Sequence, residues 1–331
     1  MNNKDLKVIA EGLIATMESA GNKSIKIQNE GLKITIKKDG SPVTNGDLEV
    51  NKILTEKISQ LTPGIPIISE ETVDLKKKNK LNTFWLIDPI DATKEYIAGK
   101  DEYTLNAGLI IDNLPAIGLV GVPKKKRLFY SYGKGNSYLI DQGKTISLNC
   151  EKKTPKGKVV AVVNGMNQPI KIINLLQKYG VTNWYKLSSS YKFCVIAAGE
   201  VDLYASVERA REWDYAAGHA IAEHAGAIIT TLENKEFKYG KEDYKNLSIL
   251  IRRSKVLKDK YLLHDTYTAS STKARDLGSL SQFGEDYYVY VAAESDDEVS
   301  LIKFDGKALI GALIGSVAKW FRCVQQPPPA S

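Results

Sequence analysis

FWLIDPIDATKEY, residues 84–96, sets four apolar residues directly ahead of Asp88, a proline, Ile90 and Asp91. A short apolar run bounded by a turn-forming residue reads as a strand covered on both faces. The proline fixes the backbone between the two acids, so the stretch predicts a strand ending at Asp88 and a helix entered at Asp91. Two carboxylates leaving one strand end together would share a crevice at the C-terminal edge of a sheet, where open α/β sheets take their ligands. Taken alone, the same residues could be a strand end followed by an N-cap aspartate.

Other acidic stretches bear on that choice. IISEE ends a preceding apolar strand with Glu70 and Glu71, and EWDYAAGHA puts Asp214 at a helix start, as an N-cap or as a ligand. KKDGSPVTNGD places Asp39, Thr44 and Asp47 in and after a turn. Magnesium takes oxygen ligands at ~2.1 Å and keeps several waters, so clustered carboxylates in a chain with only 3 His favour magnesium over zinc. His219 and His224 stand at i, i+5, which is poor for shared ligation, and read as packing or surface residues.

Around these stretches the pattern is that of a layered protein. Leu6, Ile9, Leu13, Ile14 and Met17 predict an amphipathic helix over 4–21, and SIKIQNEGLKITIKK predicts a two-strand hairpin about Asn29-Glu30-Gly31. A second helix stops at Pro63-Gly64, and IPIIS, TFWLI, TLNAGLIID and LPAIGLVGVP follow as strands. GKVVAVVNG, NWYKL, VDLYASV and LSILI supply strands for a second sheet, with helices over 169–178, 191–198 and the WDYAAGHAIAEHAG stretch that Gly226 closes. Two sheets with helices layered against them is the simplest assembly. Residues 261–331 change character and read as a separate C-terminal extension. There KALIGALIGSVAKWF predicts a helix packed on the extension's own fold, and QPPPAS a frayed end.

Composition sets the partners. The 331 residues carry a formal +7, and residues 1–260 hold 40 Lys and Arg against 30 Asp and Glu, which invites an anionic partner. The basic runs KKKNK from Lys76 and KKKR from Lys124 lack aromatic interleaving, and no nucleic-acid-binding spacing is present, so a small phosphorylated molecule suits the charge better than a nucleic-acid polymer. No apolar run approaches the ~20 residues that span a bilayer, and the N-terminal stretch alternates charged and apolar residues. A cytoplasmic protein without a membrane partner is expected. Cys150, Cys194 and Cys323 fit neither a disulfide framework nor a zinc pattern and read as buried or inert thiols.

KKDGSPVTNGD, SEE, WLIDPIDATKEY and EWDYAAGHAIAEHAG, in this order, resemble the inositol monophosphatase superfamily over about residues 1–255. DPIDATKEY followed by YTLNAGLI is similar to its bacterial 3′(2′),5′-bisphosphate nucleotidase branch. The resemblance implies an αβαβα sandwich of the inositol monophosphatase and fructose-1,6-bisphosphatase type, in a phosphatase domain 1–260 with halves of about 1–155 and 156–260. It implies lithium sensitivity and two or three Mg2+ per site: Glu70, Asp88 and the carbonyl of Ile90 for one ion, Asp88, Asp91 and Asp214 for the second. Asp39 and Thr93 would orient and deprotonate the attacking water, and the amides of Asp91, Ala92 and Thr93 would meet phosphate oxygens. Ser189 and Lys192 of SSSYK would take a second phosphate, with Arg209 supplying a guanidinium where relatives carry an arginine at the position of Ser206.

Two departures stand out: Ala92 replaces a glycine, which calls for an unstrained backbone there, and NGMN (164–167) replaces the stretch that approaches adenine. The expected activity is magnesium-dependent removal of the 3′-phosphate of adenosine 3′,5′-bisphosphate. The alternatives are an inositol-1-phosphate or other sugar-phosphate phosphatase, and a phosphonucleotide-binding module without turnover.

Overall fold

The computed structural model describes residues 1–76, 80–151, 159–253 and 256, together with the backbone of 274–283, 286–293, 298–304 and 309–316. Residues 77–79 of the first basic run, Cys323 and the QPPPAS end lie outside them. The chain divides into two compact units, Met1–Leu257 and Lys258–Ser331.

The first unit opens with α1 (Asn3–Glu30), the hairpin β1 (Ile34–Ile36) and β2 (Pro42–Thr44), and α2 (Asn45–Leu61). It continues through β3 (Ile67–Ser69), β4 (Phe84–Asp91), α3 (Thr93–Ile97), β5 (Thr104–Ile111) and β6 (Leu114–Val122). The meander β7 (Arg127–Ser131), β8 (Ser137–Asp141) and β9 (Lys144–Ser147) completes a sheet in the order β3-β4-β5-β6-β7-β8-β9, parallel only between β3 and β4. Then come β10 (Val159–Val163), α4 (Ile170–Lys178), β11 (Val181–Lys186), α5 (Tyr191–Ala197), β12 (Leu203–Ser206), α6 (Glu212–His224), β13 (Ala227–Thr230) and β14 (Ile249–Arg253). The second sheet runs β11-β10-β12-β14-β13.

Side chains of β4 alternate between two cores. Trp85 and Ile87 face α1 and α2 with Leu13, Met17 and Leu54, whereas Phe84 and Leu86 share a core with α5, α6 and the second sheet. Ile172 and Leu176 of α4 pack on the outer face of the second sheet with Ala161 and Leu203. Helix, sheet, helix, sheet, helix: the expected αβαβα sandwich is the fold.

The inner helix α6 lies directly on the first sheet because two glycines make room for it. Gly108 of β5 and Gly118 of β6 are cross-strand partners. A Cβ on Gly118 would come within 2.2 Å of the Ala217 carbonyl oxygen, and one on Gly108 within 2.9 Å of the Ala216 Cβ. Ala216 and Ala217, small themselves, complete the close approach.

Two expectations fail. Residues 24–30 continue α1 and do not form a hairpin strand, which leaves only Ile34–Ile36 to pair with Pro42–Thr44. Ser24 and Ile27 extend the helix's buried face, and the Ser24 hydroxyl donates to the Gly21 carbonyl at 2.7 Å, which leaves it to accept from the Tyr103 hydroxyl at 2.9 Å. In the second unit, residues 309–316 of the stretch expected as a helix form β18 (Leu309–Ser316), the last of the antiparallel strands β15 (Ala274–Phe283), β16 (Asp286–Ala293) and β17 (Glu298–Phe304), and the rest of that stretch lies outside the described residues. Gly311 and Gly315 weaken a helix there, and pairing with β17 supplies the backbone bonds instead.

Candidate active site

Asp88 and Asp91 are three residues apart, so a regular strand would send them to opposite faces. The structure prevents this by a bulge: Asp88 pairs with Asn106 and Asp91 with Thr104, three steps on β4 against two on β5. The extra residue re-aims the strand end and brings both carboxylates to one side. Pro89 sits inside the irregularity, where its missing N–H costs no ladder bond. The strand therefore runs on to Asp91, three residues beyond the expected end at Asp88.

Glu70, just past β3, and Asp214, the third residue of α6, converge on Asp88, with one carboxylate oxygen of each within 4.8 Å of the others. Asp214 is not the helix's N-cap, which is Arg211, but it accepts from the Arg211 amide at 2.8 Å. Asp91 accepts from the Ser190 amide at 2.5 Å and from Asn106 Nδ2 at 3.3 Å. Burial, reinforced by the charges of the neighbouring carboxylates, pushes the Asp214 carboxyl up to about 8 and raises Asp88 well above its ordinary range. Burial also raises Asp91, against the opposing pull of Lys192. The buried Asp88 Oδ1 has no hydrogen-bond partner among the described residues. An all-oxygen cluster with an orphaned buried carboxylate oxygen fits a hard divalent cation.

Thr93 meets a different carboxylate from the one expected to share the water with it. Asp39 sits in an exposed turn, where its carboxylate accepts from the Ser41 amide and hydroxyl at 3.0 and 2.7 Å. Thr93 instead donates toward Asp47 Oδ1 at 3.4 Å and to the Ile90 carbonyl at 3.1 Å, so the carbonyl expected to hold metal already accepts one bond. Asp47 is almost fully buried, and its Oδ2 accepts from the Thr44 amide and hydroxyl at 2.8 and 2.6 Å in a capping box at the start of α2. The three-residue spacing of Thr44 and Asp47 was the sequence signal for this placement.

Ala92 links β4 to α3 in the left-handed region, φ 71° and ψ 52°, so the expected unstrained backbone is not what the structure has. The amides of Asp91, Ala92 and Thr93 precede or begin the five-residue α3.

A cleft of about 210 Å³ is lined by Asp91, Ala92, Asp214, Ser189, Lys192 and Arg209 among others, so the second-phosphate candidates share it with two of the carboxylates. Their engagement differs. Ser189 donates to the Glu102 carbonyl, the buried Lys192 donates to the Ser189 carbonyl at 2.5 Å, and Arg209 is exposed. Asn164, on the same cleft, already donates to Tyr204 and Ser206.

The sequence reading gave no role to Lys37, which bridges Glu70 and Glu71 at 3.0 and 2.8 Å. It also missed Glu95 and Lys186, on the cleft wall. His219 and His224 are buried, bonded to Tyr239 and to the Gly133 amide, and burial pushes their pKa down to about 3 and about 4. Both are packing residues, neither being on the surface. Cys150 and Cys194 are buried free thiols, and burial raises the first to about 11. Among the described residues no helix is long and apolar enough to cross a membrane.

Residues 4–269 match the inositol monophosphatase family. The chain is 32% identical over 204 residues to the 3′(2′),5′-bisphosphate nucleotidase CysQ of Salmonella typhimurium, covering 61% of this chain and 81% of that one. The solved structure of CysQ from Bacteroides thetaiotaomicron is similar at 28% identity with a TM-score of 0.62, covering 74% of this chain and 96% of the other. An IMPase/NADP phosphatase complexed with Mg2+ and phosphate agrees in fold, with a TM-score of 0.62 at 17% identity, covering 75% of this chain and 92% of that one.

Proposed function

Because the chain belongs to the inositol monophosphatase family, we propose that it is the phosphatase of that family which removes the 3′-phosphate of adenosine 3′,5′-bisphosphate, leaving AMP and phosphate. The observation that carries the reading is the convergence of Glu70, Asp88 and Asp214 beside Asp91, at a cleft that also bears Lys192 and Arg209. The nucleotidase names of the relatives favour this substrate over inositol 1-phosphate.

Glu70, Asp88, the Ile90 carbonyl, Asp91 and Asp214 would hold Mg2+, and the ion would supply Lewis-acid charge for the phosphoryl oxygens and acidify a water. Thr93 would orient that water, and Asp47, placed by Thr44, would take its proton. The amides at Asp91, Ala92 and Thr93 would hold phosphate oxygens as they are fixed by the turn into α3. Lys192, whose charge favours ionised Asp91, would keep that carboxylate available at neutral pH. Residues 1–260 would contain all of this machinery.

The test is phosphate release from adenosine 3′,5′-bisphosphate, inositol 1-phosphate and fructose 1,6-bisphosphate, each with magnesium and with EDTA. Magnesium-dependent release fastest from the nucleotide is expected. Fast release from inositol 1-phosphate with none from the nucleotide would overturn the assignment.

A further inference from the structure

Resting on the bisphosphate reading above, we propose that Lys186 reads the substrate's second phosphate at the mouth of the cleft, and that Glu95 holds its ammonium in place until substrate arrives.

Lys186 ends β11, the edge strand of the second sheet, in register with Val163 and so beside the turn that begins at Asn164. Glu95 lies on the opposite wall, on α3, two residues after Thr93. Their side chains meet across the cleft, with Lys186 Nζ 3.4 Å from Glu95 Oε1, and the same oxygen accepts from the Ser188 hydroxyl at 3.3 Å. The Lys186 side chain is 43% exposed, and Glu95 is its one partner among the described residues. An ion pair this exposed is weak and exchanges partners readily.

Lys192 cannot do the same work. It is 5% exposed, its ammonium donates to the Ser189 carbonyl at 2.5 Å, and it lies over the Tyr204 ring at 5.4 Å. Its place is with the buried carboxylates, as a fixed counter-charge that every substrate meets. Among the described residues of the cleft, Lys186, with the exposed Arg209, is the cation free to move to a ligand that reaches beyond the reacting phosphate. A phosphate carries more charge and more acceptor oxygens than Glu95 and would draw the ammonium from it. Glu95 then works against binding: it competes for the lysine in the empty cleft and must release it when the second phosphate arrives.

Steady-state kinetics on adenosine 3′,5′-bisphosphate and adenosine 3′-monophosphate test this with the wild type, Lys186→Met and Glu95→Gln. Lys186→Met is expected to raise KM for the bisphosphate about tenfold, with kcat unchanged and the monophosphate little affected. Glu95→Gln is expected to lower KM for the bisphosphate, the opposite direction. Equal changes on both substrates, or no change on either, would overturn the role of Lys186. Wild-type protein inactive on the bisphosphate but active on inositol 1-phosphate would instead overturn the functional reading on which it rests.

Discussion

Thr93 Oγ1 stands 3.4 Å from Asp47 Oδ1, joining the start of α3 to the start of α2 across 46 positions of sequence. On the proposed mechanism, that contact puts Asp47 where the sequence suggested Asp39. Asp47→Asn is expected to lower turnover by about 10²–10⁴-fold, the usual contribution of a positioned base. Asp39→Asn, altering an exposed turn, should leave turnover within about twofold. Both variants are assayed for phosphate release from one nucleotide at saturating magnesium, and a severe loss in Asp39→Asn with a mild one in Asp47→Asn would reverse the assignment.

The carboxyls of Asp88, Asp91 and Asp214 all stand above their ordinary range, Asp214 at about 8, because burial and neighbouring charge oppose ionisation. Without metal, the folded protein keeps protons that the unfolded chain releases near pH 4. This stabilisation is thus complete below about pH 4 and is lost as pH rises through about 8. On the proposed function magnesium would replace the protons, so the rise in Tm it causes should grow from about pH 5 to about pH 8.5. Asp214→Asn should raise the metal-free Tm near pH 8 and shrink the magnesium response, while costing turnover more than the ~10–100-fold typical of outer-sphere partners. Thermal melts with magnesium and with EDTA across that range decide it, and a response that falls with pH would speak against a carboxylate metal centre.

Ala92 holds φ 71°, a conformation that costs a residue with a Cβ about 1–2 kcal/mol. Glycine would relieve that strain and give back about 0.5–1 kcal/mol through unfolded-chain entropy. Ala92→Gly should therefore be neutral to stabilising by up to about 1 kcal/mol. Denaturant unfolding measures it, and a clear loss of stability would mean the alanine methyl packs favourably enough to outweigh its strain.

The carboxylates of the centre lie at or before residue 214, and the family match reaches residue 269. A chain ending at residue 260 should keep its specific activity. Comparing activity and Tm of residues 1–260 with the full chain tests this, and a folded but inactive truncation would give residues 261–331 a part in the site.

What could be read from the sequence divides along physical lines. FWLIDPID announced itself because an apolar run, a proline and paired acids coincide, and most strands and helices around it followed from the apolar periods, β7, β8, β9 and β13 excepted. The bulge that turns Asp91 to the side of Asp88 did not, since register depends on the partner strand. Residues 24–30 of α1 hid their helical face because its buried positions include Gly21 and Ser24, which carry no apolar signal, while Ile25 and Ile27 imitate a strand. Asp47, the base of the proposed mechanism, does not stand out beside Asp39, because an acid in a glycine turn looks available whereas one inside a capping box looks merely structural. Here one carboxylate does both: Oδ2 closes the helix cap and Oδ1 faces Thr93.

The bare seat formed by Gly108 and Gly118 has a consequence at a distance. Asp88 and Asp91 belong to the sheet and Asp214 to α6, so the gap between the two halves of the charge cluster is gauged by how closely the helix settles on those glycines. Ala217, which the Gly118 hydrogen faces, is one helical turn beyond Asp214. A single methyl at position 118 would act as a wedge under that turn and misalign the carboxylates without altering one of them. The tolerance of the centre is thus set by an uncharged backbone contact, and defects in ion binding can originate at residues that never touch an ion.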